Sequence, residues 1–167
     1  MTQLVLIGPP GSGKSTVGKL VAQSLGVEFA DTDEIVEANE GRAISEIFLT
    51  DGEDAFRAAE REAVAAALAT HSGVLSLGGG SVLDSGTREQ LATHRVIFLH
   101  VGLADAAKRV GLNTARPLLV GSPRRQWQEL MDARFPIYSE VANAQVSTSG
   151  QTPEESRDAV LEVMRQW

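Results

Sequence analysis

The sequence predicts an α/β fold in three layers, with a five-stranded parallel sheet covered by helices on both faces. Short apolar runs rich in Val, Ile and Leu recur at Leu4–Ile7, Val27–Ala30, Val74–Leu77, Val96–Val101 and Ala144–Val146. Continuous apolar runs of this kind are what strands buried on both faces require. Longer segments of helical period separate the runs, and parallel strands need such crossovers. A third observation fixes the start of the alternation: Gly8-Pro9-Pro10-Gly11-Ser12-Gly13-Lys14-Ser15-Thr16 follows the first run directly and fits the pattern G-x-x-x-x-G-K-[ST].

In such a strand–loop–helix unit the glycines let backbone N–H groups turn inward around an anion. The lysine reaches the β and γ phosphates, and the serine hydroxyl ligates Mg²⁺. Gly11, Ser12, Gly13, Lys14, Ser15 and Thr16 are therefore the expected nucleotide contacts. Val17, Leu20, Val21 and Leu25 then recur at helical spacing, so a helix N-terminus points its partial positive charge at the phosphates. A long helix is expected from Glu53 to Thr70, with Phe56, Ala59, Ala63, Val64 and Ala67 on one face. The segment 111–125 mixes Gly111, Asn113, Pro117, Gly121 and Pro123 with Arg116, Arg124 and Arg125, the composition of a mobile lid over phosphates. At the end Thr152-Pro153-Glu154-Glu155 predicts an N-cap, a first-position proline and a capping-box glutamate, and Val160, Leu161, Met164 and Trp167 form the apolar face of a closing helix.

A length of 167 residues fits one compact domain, expected over 1–167. The net charge of −7 leaves no broad basic surface for nucleic acid or anionic membrane. With no cysteine, disulfides and thiolate metal sites are excluded. No apolar stretch approaches the ~20 residues of a membrane span, and a cytoplasmic protein is expected. His71, His94 and His100 lack ligand spacing, and Trp127 and Trp167 read as packing residues.

Three further constellations carry possible chemistry. Asp31-Thr32-Asp33 places two carboxylates at a strand's carboxyl end, where open α/β sheets bind ligands. One can order a Mg²⁺ water and the other accept a hydroxyl proton, although either aspartate can equally cap the following helix. Leu77-Gly78-Gly79-Gly80 lets a ligand approach bare backbone; a tight turn explains one glycine easily and three poorly. Arg57 can form an exposed i, i+3 pair with Glu60, and Arg134 can be a solvated helix residue. Spacing alone does not bring those arginines together.

In order, the phosphate loop, Asp31-Thr32-Asp33, Gly52-Glu53-Asp54-Ala55-Phe56-Arg57, Leu77-Gly78-Gly79-Gly80, Asn113-Thr114-Ala115-Arg116-Pro117-Leu118-Leu119 and Arg134-x-x-x-Tyr138 resemble the shikimate kinase family over nearly the whole chain. The resemblance implies a P-loop NTPase fold of the nucleoside monophosphate kinase type with a mobile lid, a substrate-binding helical segment about 33–61 and a lid about 111–125. It implies ATP-dependent phosphorylation of the shikimate 3-hydroxyl in aromatic amino acid biosynthesis, with ATP and Mg²⁺ as cofactors and a monomer as the expected state. Lys14, Asp33 and Arg116 take the catalytic positions, and Asp33, Arg57, Gly79, Gly80 and Arg134 those that bind substrate. Ser15, and Asp31 through water, take the metal positions. Phe48, Phe56, Glu60 and Leu118 take wall positions, while Arg109 and Pro153 are the expected faces of an adenine sandwich.

One region departs from the family pattern. The adenine loop commonly reads Val-Asp-Thr, but here it reads Val146-Ser147-Thr148. Three other readings remain at this stage: a gluconate-type kinase, a nucleoside monophosphate kinase, and a regulator that binds nucleotide without turnover.

Overall fold

A computed structural model describes residues 2–110 and 122–167. Among them the chain runs β1 (Leu4–Ile7), α1 (Lys14–Leu25), β2 (Phe29–Asp31), α2 (Thr32–Glu40), α3 (Ile44–Asp51), α4 (Glu53–Thr70) and β3 (Val74–Ser76). A 3₁₀ turn at Ser81–Leu83 leads to α5 (Ser85–Leu91), β4 (Val96–His100), α6 (Leu103–Val110), α7 (Pro123–Val141), β5 (Ala144–Ser147) and α8 (Pro153–Arg165). The five strands pair in parallel in the order β2-β3-β1-β4-β5.

Side chains alternate across a strand, so β1 divides its residues between two cores. Leu4 and Leu6 join Val17, Val21, Ile97, Leu99 and Val160 beneath α1 and α8. Val5 and Ile7 join Val64, Leu75, Phe98, Trp127, Met131 and Tyr138 beneath α4 and α7. A smaller cluster of Val36, Ile47, Phe56 and Ala63 ties α2 and α3 to α4. β1 lies at the topological switch point, between strands reached by crossovers in opposite directions, and the loop at its carboxyl end opens into the ligand crevice.

The expected elements are present, with shifted ends. α4 has the expected bounds, and α8 opens with both bonds of the capping box: Glu155 N donates to Thr152 Oγ1 at 3.1 Å and Thr152 N to Glu155 Oε1 at 3.0 Å. β2 starts at Phe29 rather than Val27 because Val27 N is still held by Ala22 O at the exit of α1. It extends to Asp31, whose register partner is Ser76. The lid expectation is shortened: Ser122 caps α7 and Pro123–Arg125 form its first turn. Residues 111–121, with Arg116 and Leu118, lie outside the described residues. Trp167 lies beyond α8, 38% exposed, with the Arg95 guanidinium over its ring. Among the described residues no helix is long and apolar enough to cross a membrane, and no group of His, Asp and Glu side chains forms a ready metal cluster.

Candidate active site

The phosphate loop leaves β1 and enters α1 through Gly11 and Gly13, with φ of 85° and 91°. Side chains with a Cβ adopt such angles at a cost, which accounts for glycine there. Gly13 caps α1 with no side-chain bond, so the first-turn N–H groups stay open to an anion. Lys14 Nζ donates to Gly8 O at 2.7 Å and Pro9 O at 3.1 Å, which folds the ammonium over the loop.

Asp31 takes the helix-capping role with one oxygen and turns the other toward the phosphate-loop helix. Its Oδ1 accepts from Asp33 N at 2.8 Å and so caps α2, while its Oδ2 accepts from Ser15 Oγ at 2.5 Å. The two carboxylate oxygens thus join the start of α2 to the start of α1. Lys14, Ser15, Thr16, Asp31, Asp33 and Arg109 line a single hollow of about 340 Å³.

Burial sets the protonation of this hollow. Desolvation lowers Lys14 from 10.5 to about 8, against the attraction of Asp33 and Asp31. Desolvation likewise raises Asp33 from 3.8 to about 6; the neighbouring charges of Asp31 and Glu60 add to the rise, and Lys14 opposes it. A carboxyl poised near neutrality is suited to taking a proton.

The triple glycine is where the separated motifs meet. A Cβ on Gly78 would lie 2.6 Å from Asp33 Oδ1 and 2.8 Å from Glu60 Oε2. A Cβ on Gly80 would lie 2.5 Å from Arg57 Nη1, and one on Gly79 would lie 3.5 Å from Arg134 Nη1. Asp33, Glu60 and Arg57 therefore press on Gly78 and Gly80, where a Cβ would force them to shift, and Arg134 reaches the same short stretch at ordinary contact distance from Gly79. Thr32 Oγ1 accepts from Gly78 N at 3.0 Å, and Tyr138 Oη donates to Gly79 O at 2.5 Å, fixing that stretch from two sides.

The exposed-pair reading of Arg57 does not hold. Glu60 is 3% exposed, and its Oε1 accepts from Arg57 Nη1 at 2.8 Å, so the pair aims a guanidinium from a buried carboxylate. Phe56 lies beneath the same guanidinium at 5.2 Å and meets Phe48 with ring centroids 4.9 Å apart. The two rings meet between α3 and α4, within the cluster that ties α2 and α3 to α4.

On the other side of the phosphate loop, Arg109 and Pro153 line one hollow of about 220 Å³ with Ser12, Gly13, Thr16, Thr148 and Gln151. Arg109 donates to Gly11 O, Thr148 Oγ1 and Thr148 O at 3.0, 2.9 and 2.8 Å, which holds its guanidinium along the wall. At the departing position, Ser147 Oγ accepts from Ser149 N at 3.3 Å, the same local turn bond a carboxylate makes. Gly150 N donates instead to Asp105 Oδ2 at 2.7 Å, so α6 supplies this loop with an acid. Sequence reasoning gave no role to Asp105, Thr148, Thr32 or the Tyr138 hydroxyl; Thr32, Thr148 and Tyr138 stand inside the motifs named above, Tyr138 one helical turn after Arg134 on the same face, whereas Asp105 carried no signal.

A phosphate loop at the switch point of a parallel sheet, facing a desolvated aspartate and two arginines, defines a P-loop phosphotransferase for a small anionic acceptor. The shikimate kinase family model matches residues 10–165, and the chain belongs to that family. A shikimate kinase of Streptomyces avermitilis is 55% identical over 162 residues, covering 97% of this chain and 95% of the relative. A shikimate kinase structure from Acinetobacter baumannii, in complex with shikimate, superposes with a TM-score of 0.91 at 32% identity, covering 98% of this chain and 92% of that one. A gluconokinase from Sinorhizobium meliloti superposes with a TM-score of 0.57 at 23% identity, covering 99% of this chain and 92% of that one, and so shares the fold alone.

Proposed function

We propose that this chain transfers the γ-phosphoryl group of ATP to the 3-hydroxyl of shikimate. The observation that carries the reading is the convergence of Asp33, Arg57 and Arg134 on Gly78–Gly80, opposite the phosphate loop. The acceptor carries a carboxylate and hydroxyls. A guanidinium fork suits the first, and Arg57, held by Glu60, pairs with Arg134 to provide it. Gly79 and Gly80 let the ring lie against bare backbone, and Asp33 faces the reacting hydroxyl.

In the transfer, the shikimate 3-oxygen forms a bond to the γ phosphorus as the bond to the β,γ-bridging oxygen breaks. ADP leaves and the hydroxyl proton passes to Asp33. That carboxyl, held near 6, is mostly ionised at neutral pH and remains a stronger base than an ordinary aspartate. Lys14 swings from the Gly8 and Pro9 carbonyls to the β and γ phosphates, where its charge offsets that of the transferring group. The oxygen donors of Ser15 and Asp31, 2.5 Å apart, fit the hard-ligand preference of Mg²⁺ and would hold the ion, Asp31 through water; bound there, it would neutralise phosphate charge. Arg109 and Pro153 flank the adenine; Arg116, the catalytic arginine that the family resemblance implies, lies outside the described residues.

The test is ADP release by the purified protein with Mg²⁺-ATP, with and without shikimate, together with the mass of the product. Shikimate-dependent release with one added phosphate supports the reading. Release dependent on gluconate or a nucleoside monophosphate instead replaces the acceptor, and nucleotide binding without turnover to any acceptor leaves a regulator.

A further inference from the structure

The backbone carbonyls of the phosphate loop all accept a hydrogen bond, and apart from the turn bond from Ser12 N to Pro9 O at 3.2 Å the donors lie outside the loop or on its own helix. Gly8 O and Pro9 O accept from Lys14 Nζ, Gly11 O from Arg109, Ser12 O from Thr148 Oγ1 at 2.8 Å, and Gly13 O from Val17 N at 2.8 Å. Pro10 O accepts from the indole Nε1 of Trp127 at 3.0 Å, a bond between residues 117 positions apart. In a trans peptide the C=O and the following N–H point in opposite directions, and no cis peptide occurs among the described residues. Holding the Pro10 carbonyl toward α7 therefore directs the Gly11 N–H to the opposite side, into the anion cradle. Proline at positions 9 and 10 removes two of the loop's N–H donors, so the orientation of the Gly11 N–H counts for more.

We propose that Trp127 is a positioning residue for the nucleotide phosphates, setting the Pro10–Gly11 peptide plane through its indole N–H. Packing alone does not explain its identity. Trp127 is 5% exposed and belongs to the core beneath α7, yet it also borders a surface hollow of about 490 Å³ with His100, Met131 and Phe135, so packing does not enclose it on every side. Core packing seats the indole, and its bond to Pro10 fixes where the N–H points. Because the bond crosses from α7 to the loop after β1, the α7 side also reports on the state of the phosphate loop.

The inference rests on the kinase reading above, and the experiment separates the two. The chain has two tryptophans, so a ¹⁵N-labelled sample gives two indole signals, assigned with Trp167→Phe. Titration with Mg²⁺-ADP is expected to shift the Trp127 signal and leave that of Trp167 in place. Trp127 is then replaced by β-(3-benzothienyl)alanine, which keeps the bicyclic shape and lacks the N–H, with Trp127→Phe in parallel. The expected result is a rise of about three- to tenfold in the KM for ATP, the span of one lost hydrogen bond, with the KM for shikimate unchanged. An unaltered ATP KM in the benzothienyl protein, or equal rises in both KM values, overturns the proposal even if Trp127→Phe is unstable. Failure of the kinase reading shows separately, as wild-type protein with no shikimate-dependent ADP release.

Discussion

Asp33→Asn should stabilise the nucleotide-free protein while abolishing turnover. Asp33 is held near 6 against an ordinary 3.8, chiefly by burial, with Asp31 and Glu60 adding to it. Each pH unit is 1.36 kcal/mol, so ionising this carboxyl at pH 7 costs the folded state about 3 kcal/mol. Two effects reduce the gain from removing that charge. The carboxylate sits in the first turn of α2, where a negative charge is favourable by about 0.3–1 kcal/mol. The group is also only partly removed from water, which screens its neighbours. A net gain of about 1–2 kcal/mol remains, or roughly 3–6 °C in Tm for a domain of this size. The pH dependence has a definite sign. A carboxyl raised in the folded state contributes stability that is complete below the unfolded value near 4 and is lost as pH rises through about 6. The gain from asparagine should therefore be small at pH 4, grow between pH 4 and 6, and level off above. Urea denaturation of both proteins with EDTA and without nucleotide, at pH steps from 4 to 8, measures it. A variant less stable than wild type at pH 7, or a gain identical at pH 4 and pH 7, refutes the electrostatic account of Asp33.

The kcat/KM for ATP should follow a bell in pH, falling below about 6 as Asp33 takes a proton and above about 8 as Lys14 loses its charge; a profile flat from pH 5 to 9 excludes both assignments. Lys14→Ala should lower kcat by orders of magnitude with the far-ultraviolet circular dichroism unchanged, and near-normal turnover would remove Lys14 from the mechanism. Arg57→Ala should raise the KM for shikimate roughly 10- to 100-fold, as loss of a charge-assisted bond implies, and Gly80→Ala should do the same by pushing the Arg57 guanidinium off its position. Thr152→Ala should cost about 0.5–2 kcal/mol in chemical denaturation by opening the α8 capping box and leave the KM for shikimate unchanged.

How far each feature was legible in the sequence depended on the range of the interaction that makes it. The α8 capping box lies within four consecutive residues, and the α4 stripe repeats every turn; both are local patterns and both took their expected place. The end of β2 was misread because it is decided by pairing: Asp31 becomes a strand residue through its register with Ser76, far along the chain. The same limit applies to the site. Lys14 and Ser15 are named by their motif, whereas the meeting of Arg57 and Arg134 at Gly79 and Gly80 depends on how α4 and α7 pack on one face of the sheet. Trp127 carried no signal beyond packing, because it acts through a bond to a carbonyl 117 positions away, and Thr148 stood in the adenine-loop motif without showing that it reaches Ser12 O and Arg109.

Asp31, Glu60 and Tyr138 bear on what the alternative readings mean. A helix cap and a metal-site oxygen are alternatives for Asp31 in the sequence, yet one oxygen makes the cap while the other faces Ser15, so the cap leaves room for the proposed metal role. An i, i+3 salt bridge and a substrate clamp are alternatives for Arg57 in the sequence, yet burial of Glu60 makes the salt bridge a fixed support for the guanidinium, compatible with the clamp proposed above. Tyr138 packs against Phe98 in the core with ring centroids 4.9 Å apart while its hydroxyl holds Gly79 O. In a chain of 167 residues the crevice is lined by the same side chains that close the core, so positional accuracy comes from structural bonds that end in the site. Alanine at Asp31, Glu60 or Tyr138 therefore removes a structural bond and a functional one together. Asp31→Asn, Glu60→Gln and Tyr138→Phe change one of the two at a time, and the split between kcat, the two KM values and Tm assigns each.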